Sequence, residues 1–191
     1  MGMPAKALDV ARRWTRAEVL ALPDDGNRYE LVDGELLVSP SPSRLHQRAV
    51  TRLWRLLDDY LTAHRLGEAL TSPADVKFVA EEILQPDLFV AQAIGGRLGE
   101  TWEAVGIPLL VVEILSPSTA RFDRVTKRLR FQRAGVPTYW IVDLDARVVE
   151  VWTPEAERPS IAVATLVWQP TPSVSELEID LPALFTAIYQ A

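Results

Sequence analysis

The sequence predicts a mixed α/β domain of the α+β kind, a β-sheet flanked by helices, and three stretches carry that expectation. Between Leu109 and Asp143 an apolar run, a basic helical stretch and a second apolar run follow one another through short joints, the pattern of a β-α-β crossover with parallel strands. From about Arg44 to Arg65, Val50, Leu53, Trp54, Leu57, Tyr60, Leu61 and His64 recur at three- and four-residue steps, which marks the longest amphipathic helix in the chain. Tyr29–Val32 and Glu35–Val38 flank Asp33-Gly34, a strong hairpin-turn pair.

In chain order, Thr15-Arg16-Ala17-Glu18 has the form of a capping box and starts a short helix that ends before Pro23. Asp24–Asn27 is a turn, the hairpin follows with Glu30 and Glu35 on its two arms, and Ser39-Pro40-Ser41-Pro42-Ser43 is a stiff polar connector. Gly67 is expected to end the long helix. Alternation at Val76, Phe78 and Ala80 predicts a half-buried strand, and a second runs over Ile83–Val90, where Pro86 places its start near Asp87 or a bulge there. Gln92–Gly106 reads as a loop. Leu109–Val112 is apolar without alternation, hence a strand covered on both faces. Ser116–Thr119 caps a helix from about Ala120 to Ala134, which Gly135 and Pro137 terminate ahead of the strand Tyr139–Asp143. Val148–Trp152 should pair with that strand through Leu144–Arg147, Ile161–Trp168 is another strand, and Leu181–Tyr189 is a terminal helix.

The 191 residues suit one domain, 1–191, with a core large enough to need no cross-links. With 48% apolar and 24% charged residues the composition is that of a globular protein, and no run is long enough to span a membrane. Met1–Trp14 lacks the apolar centre of a signal peptide. The absence of cysteine excludes disulfides, thiol catalysis and thiolate zinc sites, and is permissive of a reducing, cytoplasmic location. The net charge of −6 argues against coating nucleic acid by bulk charge. Yet six of the 20 basic residues, Arg121, Arg124, Lys127, Arg128, Arg130 and Arg133, share the one helix. That helix presents either a solvated face or a phosphate-facing one.

The chemistry points to the acids inside the apolar strands. Glu113 stands near the end of the most apolar run, and a buried carboxylate must be paired, metal-bound or protonated. If the strand from Asp87 runs antiparallel beside the Leu109 strand, Asp87 comes next to Glu113, and a divalent cation between them would relieve their repulsion. Oxygen ligands, no cysteine and two histidines favour Mg²⁺ or Mn²⁺ over zinc. Lys127, the one lysine of the basic helix, is the candidate to complete such a site as a compact point charge.

Tyr29–Glu35, Ser39–Pro42 with His46, Gln85-Pro86-Asp87, Val112–Ser118, Asp123 with Lys127, and Gly135–Asp143 together resemble the Uma-type putative restriction endonuclease family, a branch of the PD-(D/E)XK nuclease superfamily. The resemblance spans about 15–184. It implies a restriction-endonuclease-like core of order αβββαβ, three antiparallel strands and a parallel fourth, with the hairpin as an N-terminal addition. It also implies a metal held by Asp87, Glu113 and the Ile114 backbone carbonyl. Leu115 stands where a catalytic lysine is usual, so Lys127 resembles the migrated replacement, and Glu30 the additional acid some members place near the metal. His46 is expected to cap the long helix or reach Glu30 as a supporting residue. For Asp123 the first expectation is plain electrostatics at a helix N-terminus.

What the resemblance implies is a Mg²⁺- or Mn²⁺-dependent endonuclease acting on phosphodiester bonds, with DNA as the expected substrate, the helix arginines (Arg124, Arg128, Arg130) on the phosphate backbone, and a homodimer through the strands after Asp143. The competing reading is a catalytically inactive nuclease-fold module that binds DNA or protein, favoured by Leu115 and the net acidity. A two-carboxylate glycosidase would need an open cleft lined with aromatics, which a basic helix beside the acids does not suit.

Overall fold

The structure, a computed structural model, describes residues 12–74, 76, 81–101 and 105–190. Helix α1 (Arg16–Leu20) opens on the expected capping box, with the Thr15 side chain accepting from the Glu18 N–H and the Glu18 carboxylate accepting from the Thr15 N–H at 2.8 Å. Strands β1 (Arg28–Val32) and β2 (Glu35–Ser39) pair antiparallel around Asp33-Gly34. Both turn residues have positive φ, 50° and 78°, as a two-residue hairpin turn of the twisted kind requires. Ser43 then caps α2 (Arg44–His64), whose Ala49, Val50, Leu53, Leu57 and Leu61 form its buried stripe.

A six-stranded sheet follows in the order β3-β4-β5-β6-β7-β8. It comprises β3 (Gly67–Thr71), β4 (Leu88–Gln92), β5 (Leu110–Ile114), β6 (Tyr139–Asp143), β7 (Val148–Trp152) and β8 (Ser160–Ala162). Every pair is antiparallel except β5 and β6, which are parallel, as a crossover connection demands. The crossover is a π-helical turn, Phe122–Lys127, running directly into α3 (Arg128–Arg133). Strands β9 (Thr165–Trp168) and β10 (Leu177–Asp180) make a separate hairpin, and α4 (Leu181–Tyr189) closes the chain.

Side-chain alternation splits the central strands between two apolar layers. Leu88, Val90, Leu110, Val112, Trp140 and Val142 face α2 and α4, whereas Phe89, Val111, Tyr139 and Ile141 face Phe131 of α3 and Val136. Asp87 and Glu113 share the parity of Phe89 and Val111. Both acids therefore point to the crossover side, towards Lys127.

Some expectations need correction. The long helix is ended by Arg65 in the left-handed region (φ 55°), while Gly67 opens β3. A side chain at Gly67 would collide with the Ala91 carbonyl of β4, so the glycine serves the close strand approach. The first strand of the sheet is accordingly 67–71; of the strand expected at Val76, Phe78 and Ala80, the latter two lie outside the described residues and Val76 makes a single bridge to Leu84. Of the two placements expected for the Ile83–Val90 strand, the start near Asp87 holds: Ile83 bridges to Leu31 of the hairpin, and β4 begins after Pro86. Ile161–Trp168 is broken into β8 and β9, which join different sheets, and the crossover helix is π-helical in its first half. Single-turn π segments recur at functional sites.

Candidate active site

The β4–β5 register sets Leu88 opposite Val112, which brings Asp87 opposite Glu113. The two are in contact: the Asp87 N–H donates to Glu113 Oε2 at 3.3 Å, and the Ile114 N–H donates to Asp87 Oδ2 at 2.9 Å. Pro86 frees this position from the ladder, so the Asp87 side chain starts where β4 starts. From the crossover, Lys127 Nζ lies 2.8 Å from Glu113 Oε1, 2.8 Å from Glu30 Oε1 and 3.7 Å from Asp123 Oδ1. Lys127 is 0% exposed, and Glu30 on β1 is also 0% exposed. The solvated-face reading of the helix thus fails at its lysine, which is the most deeply buried charge on it.

Asp123 lies in the first turn of the crossover helix, where an acid suits the helix N-terminus, and it is buried there facing Lys127. Its own N–H donates to the Thr119 carbonyl, and the Tyr139 hydroxyl donates to its carbonyl at 3.1 Å. His46 does not cap α2, a role Ser43 takes; its Nε2 sits 2.9 Å from Asp87 Oδ2. The hairpin adds three contacts that the sequence did not suggest. Arg28 donates to Asp87 Oδ1 at 2.8 Å and stands 3.5 Å from Glu30 Oε2, and the Gln85 N–H donates to Glu30 Oε1 at 2.9 Å. Arg28 is two residues before Glu30 on one strand, hence on the same face, and that spacing was the available signal.

Four carboxyl groups, Glu30, Asp87, Glu113 and Asp123, therefore meet two permanent cations, Arg28 and Lys127. The electrostatics divide accordingly. Burial pushes Glu113 well above the usual carboxylate range, with the neighbouring acids adding to it against Lys127. Burial likewise raises Asp123 to about 6, Lys127 opposing. For Asp87, burial is outweighed by His46, Arg28 and Lys127, which hold its carboxyl well below the ordinary value. Burial alone would lower Lys127, but Glu113, Glu30 and Asp123 more than reverse that, so the ammonium stays charged.

A hard divalent cation suits this donor chemistry. Asp87 and Glu113 supply carboxylate oxygens from adjacent strands, and the Ile114 carbonyl points to the same side as its N–H, towards Asp87. Glu30 Oε2 is buried and accepts no hydrogen bond. Among the described residues no three acidic or histidine side chains already converge as a ligand set. Arg28 and His46 engage the two Asp87 oxygens, so uptake of a cation requires one of them to yield.

The helix arginines are placed elsewhere. Arg124 lies between Glu150 (2.6 Å) and Asp143 (2.9 Å) and lines the cleft above the centre. Arg128 stacks over Trp152 and donates to Gln132, and Arg130 pairs with Glu82 in a separate depression.

The class these features define is a mixed α/β domain with an acid–lysine centre beside the junction of the antiparallel and parallel parts of its sheet. The chain belongs to the Uma2 family, described as "putative restriction endonuclease", whose sequence profile matches residues 16–183. Its fold is similar to that of a crystal structure titled as a putative nuclease belonging to DUF820 from Anabaena variabilis ATCC 29413, with a TM-score of 0.73 and 21% identity, over 92% of this chain and 99% of that one. No curated protein matches the sequence. No helix among the described residues is long and apolar enough to cross a membrane.

Proposed function

We propose that this protein is a metal-dependent nuclease with a restriction-endonuclease-like core, hydrolysing phosphodiester bonds in nucleic acid, with DNA as the expected substrate. The observation that carries the reading is the Asp87–Glu113 contact across adjacent strands with Lys127 buried against Glu113. Asp87, Glu113 and the Ile114 carbonyl would hold Mg²⁺ or Mn²⁺. When bound, such an ion polarises a phosphate oxygen and lowers the pKa of a ligated water.

The remaining work falls to the chain's own groups. Lys127 stays protonated, so it serves as a fixed cation that orients the attacking water and balances developing negative charge, and not as a base. Glu30 and Asp123 hold that ammonium from the other sides. His46 orients the Asp87 carboxylate, and Arg124, which lines the cleft, would meet phosphate by giving up part of its hold on Asp143 and Glu150. Arg128 and Arg130 would act from outside the cleft.

A non-catalytic nucleic-acid-binding module is the second reading. It is favoured by the hold that Arg28 and His46 have on Asp87 and by Leu115 in place of lysine. Incubating supercoiled plasmid and single-stranded circular DNA with Mg²⁺, Mn²⁺ or EDTA separates the two. Metal-dependent cutting that disappears in Asp87→Ala and Lys127→Ala is the expected result; a wild type that binds but never cuts would establish the module.

A further inference from the structure

We infer that the cleft over Asp87 takes a single nucleic-acid strand, with a base stacked on Trp54, in preference to a duplex; the inference rests on the nucleic-acid reading above for its class of ligand. Duplex binding draws its affinity from rows of Lys and Arg that neutralise successive phosphates. Here three of the six basic residues of the helix are spent inwards, Lys127 on three acids, Arg124 on Asp143 and Glu150, and Arg130 on Glu82, and of the six Arg124 alone lines the cleft. The cleft, about 1390 Å³, has Arg28 and Arg124 in its walls, both already paired, and Asp24, Asp143 and Asp145 in the same walls. That is too little positive charge for a duplex and no barrier to a strand held by uncharged contacts.

The walls offer such contacts. The connectors Ser39–Ser43 and Ser116–Thr119 both line the cleft. Ser39 Oγ is buried without a hydrogen-bond partner, and the Ser116 hydroxyl lies 3.0 Å from those of Ser118 and Thr119. Hydroxyls bond sugar and phosphate oxygens without needing charge. His46, Val50 and Trp54 follow at four-residue steps along one face of α2, and all three line the cleft. Trp54 is 36% exposed, and its indole N–H is fixed to the Ala69 carbonyl at 2.7 Å, which sets the ring's orientation. Eight residues of helix separate it from His46, roughly 12 Å. A base stacked there lies a few nucleotides from a phosphate at Asp87, and aromatic stacking of this kind is the usual sequence-tolerant grip on single strands.

Fluorescence anisotropy of labelled 12-nucleotide DNA, its RNA equivalent and the matching duplex, in EDTA and again in Ca²⁺, tests this on the full chain. The expected result is single-strand binding at least about tenfold tighter than duplex binding, a loss of about tenfold in Trp54→Leu for single strands alone, and near-normal binding in Trp54→Phe. The DNA and RNA arms show which sugar is preferred. Equal or tighter duplex binding, no binding of any oligonucleotide, or single-strand binding indifferent to both substitutions overturns the inference. Should Trp54→Leu fail to fold, protection of the Trp54 indole from oxidation by bound single strand, read by mass spectrometry, decides it in the wild type. Strand binding that depends on Trp54 without metal-dependent cutting would refute the hydrolase reading and leave this one standing.

Discussion

Two charged clusters hang from the same crossover helix, and they are built on opposite terms. Around Arg124, Glu150 Oε1 and Asp143 Oδ2 receive the guanidinium, Glu150 Oε2 receives the Trp152 indole N–H, and Asp143 Oδ1 receives the Ala146 N–H. Asp143 is held below its ordinary pKa because those donors outweigh its modest burial. One turn along, the Lys127 cluster buries four carboxyl groups against two permanent cations, leaves Glu30 Oε2 without a donor, and pushes Glu113 and Asp123 upwards. The first arrangement favours an ionised Asp143 and ties the helix to the sheet. The second opposes ionisation at Glu113 and Asp123 while favouring it at Asp87, and acids driven apart in this way in a buried cluster mark a candidate for binding a ligand or carrying a reaction.

The sharpest way to break this contrast is to remove the two cations in turn. Lys127→Met leaves buried acids without their principal partner and should cost about 3–5 kcal/mol in urea unfolding at pH 7. The loss should shrink at pH 5, where Glu113 and Asp123, whose pKa values are raised, take up protons. If Lys127→Met is neutral at pH 7, the cluster is not buried as described.

The next effect is in pH dependence. Asp123 has a folded pKa of about 6, above the unfolded value, so its ionisation works against folding. Stability tied to its protonated form is fully present below about pH 4 and is lost as pH rises through about 6. Asp123→Asn removes that loss. The stability of the variant relative to wild type should climb by about 2–3 kcal/mol between pH 4 and pH 7.5, measured by urea unfolding across that range. A difference that is flat with pH would remove Asp123 from the strained cluster.

The smallest effect is expected at the balanced cluster. Arg124 is partly exposed, and Arg124→Met should cost about 1 kcal/mol or less, with part of that loss screened by 0.5 M salt. A cost equal to that of Lys127→Met would erase the distinction between the clusters.

Much of this was legible in the chain, for reasons that can be named. Glu113 stood out because a carboxylate interrupted an apolar strand, and Asp87 because Pro86 placed the start of its strand; β-α-β logic gave the parallel β5–β6 pair, whereas the antiparallel β4–β5 pair that joins the two acids was a supposition the sequence alone did not decide. The capping box at Thr15, the Asp33-Gly34 turn and the long α2 stripe are local signals, and each formed where expected. What depended on distant partners was hidden. Gly67 reads as a helix stop until the Ala91 carbonyl on the neighbouring strand is known. Short β3 and β10 carry no pattern strong enough to stand alone. Arg28 and the burial of Asp123 and Lys127 depend on the hairpin folding over the sheet end, a long-range contact that periodicity does not encode.

The central claim is that Asp87 belongs to a cation-binding centre while the more exposed pair of acids at Arg124 does not. Mn²⁺ titration followed by electron paramagnetic resonance, on wild type, Asp87→Asn and Asp143→Asn, addresses it most directly. The account predicts that wild type and Asp143→Asn bind Mn²⁺ alike and that Asp87→Asn loses at least about tenfold in affinity. Binding unchanged in Asp87→Asn, or lost in Asp143→Asn instead, would contradict it.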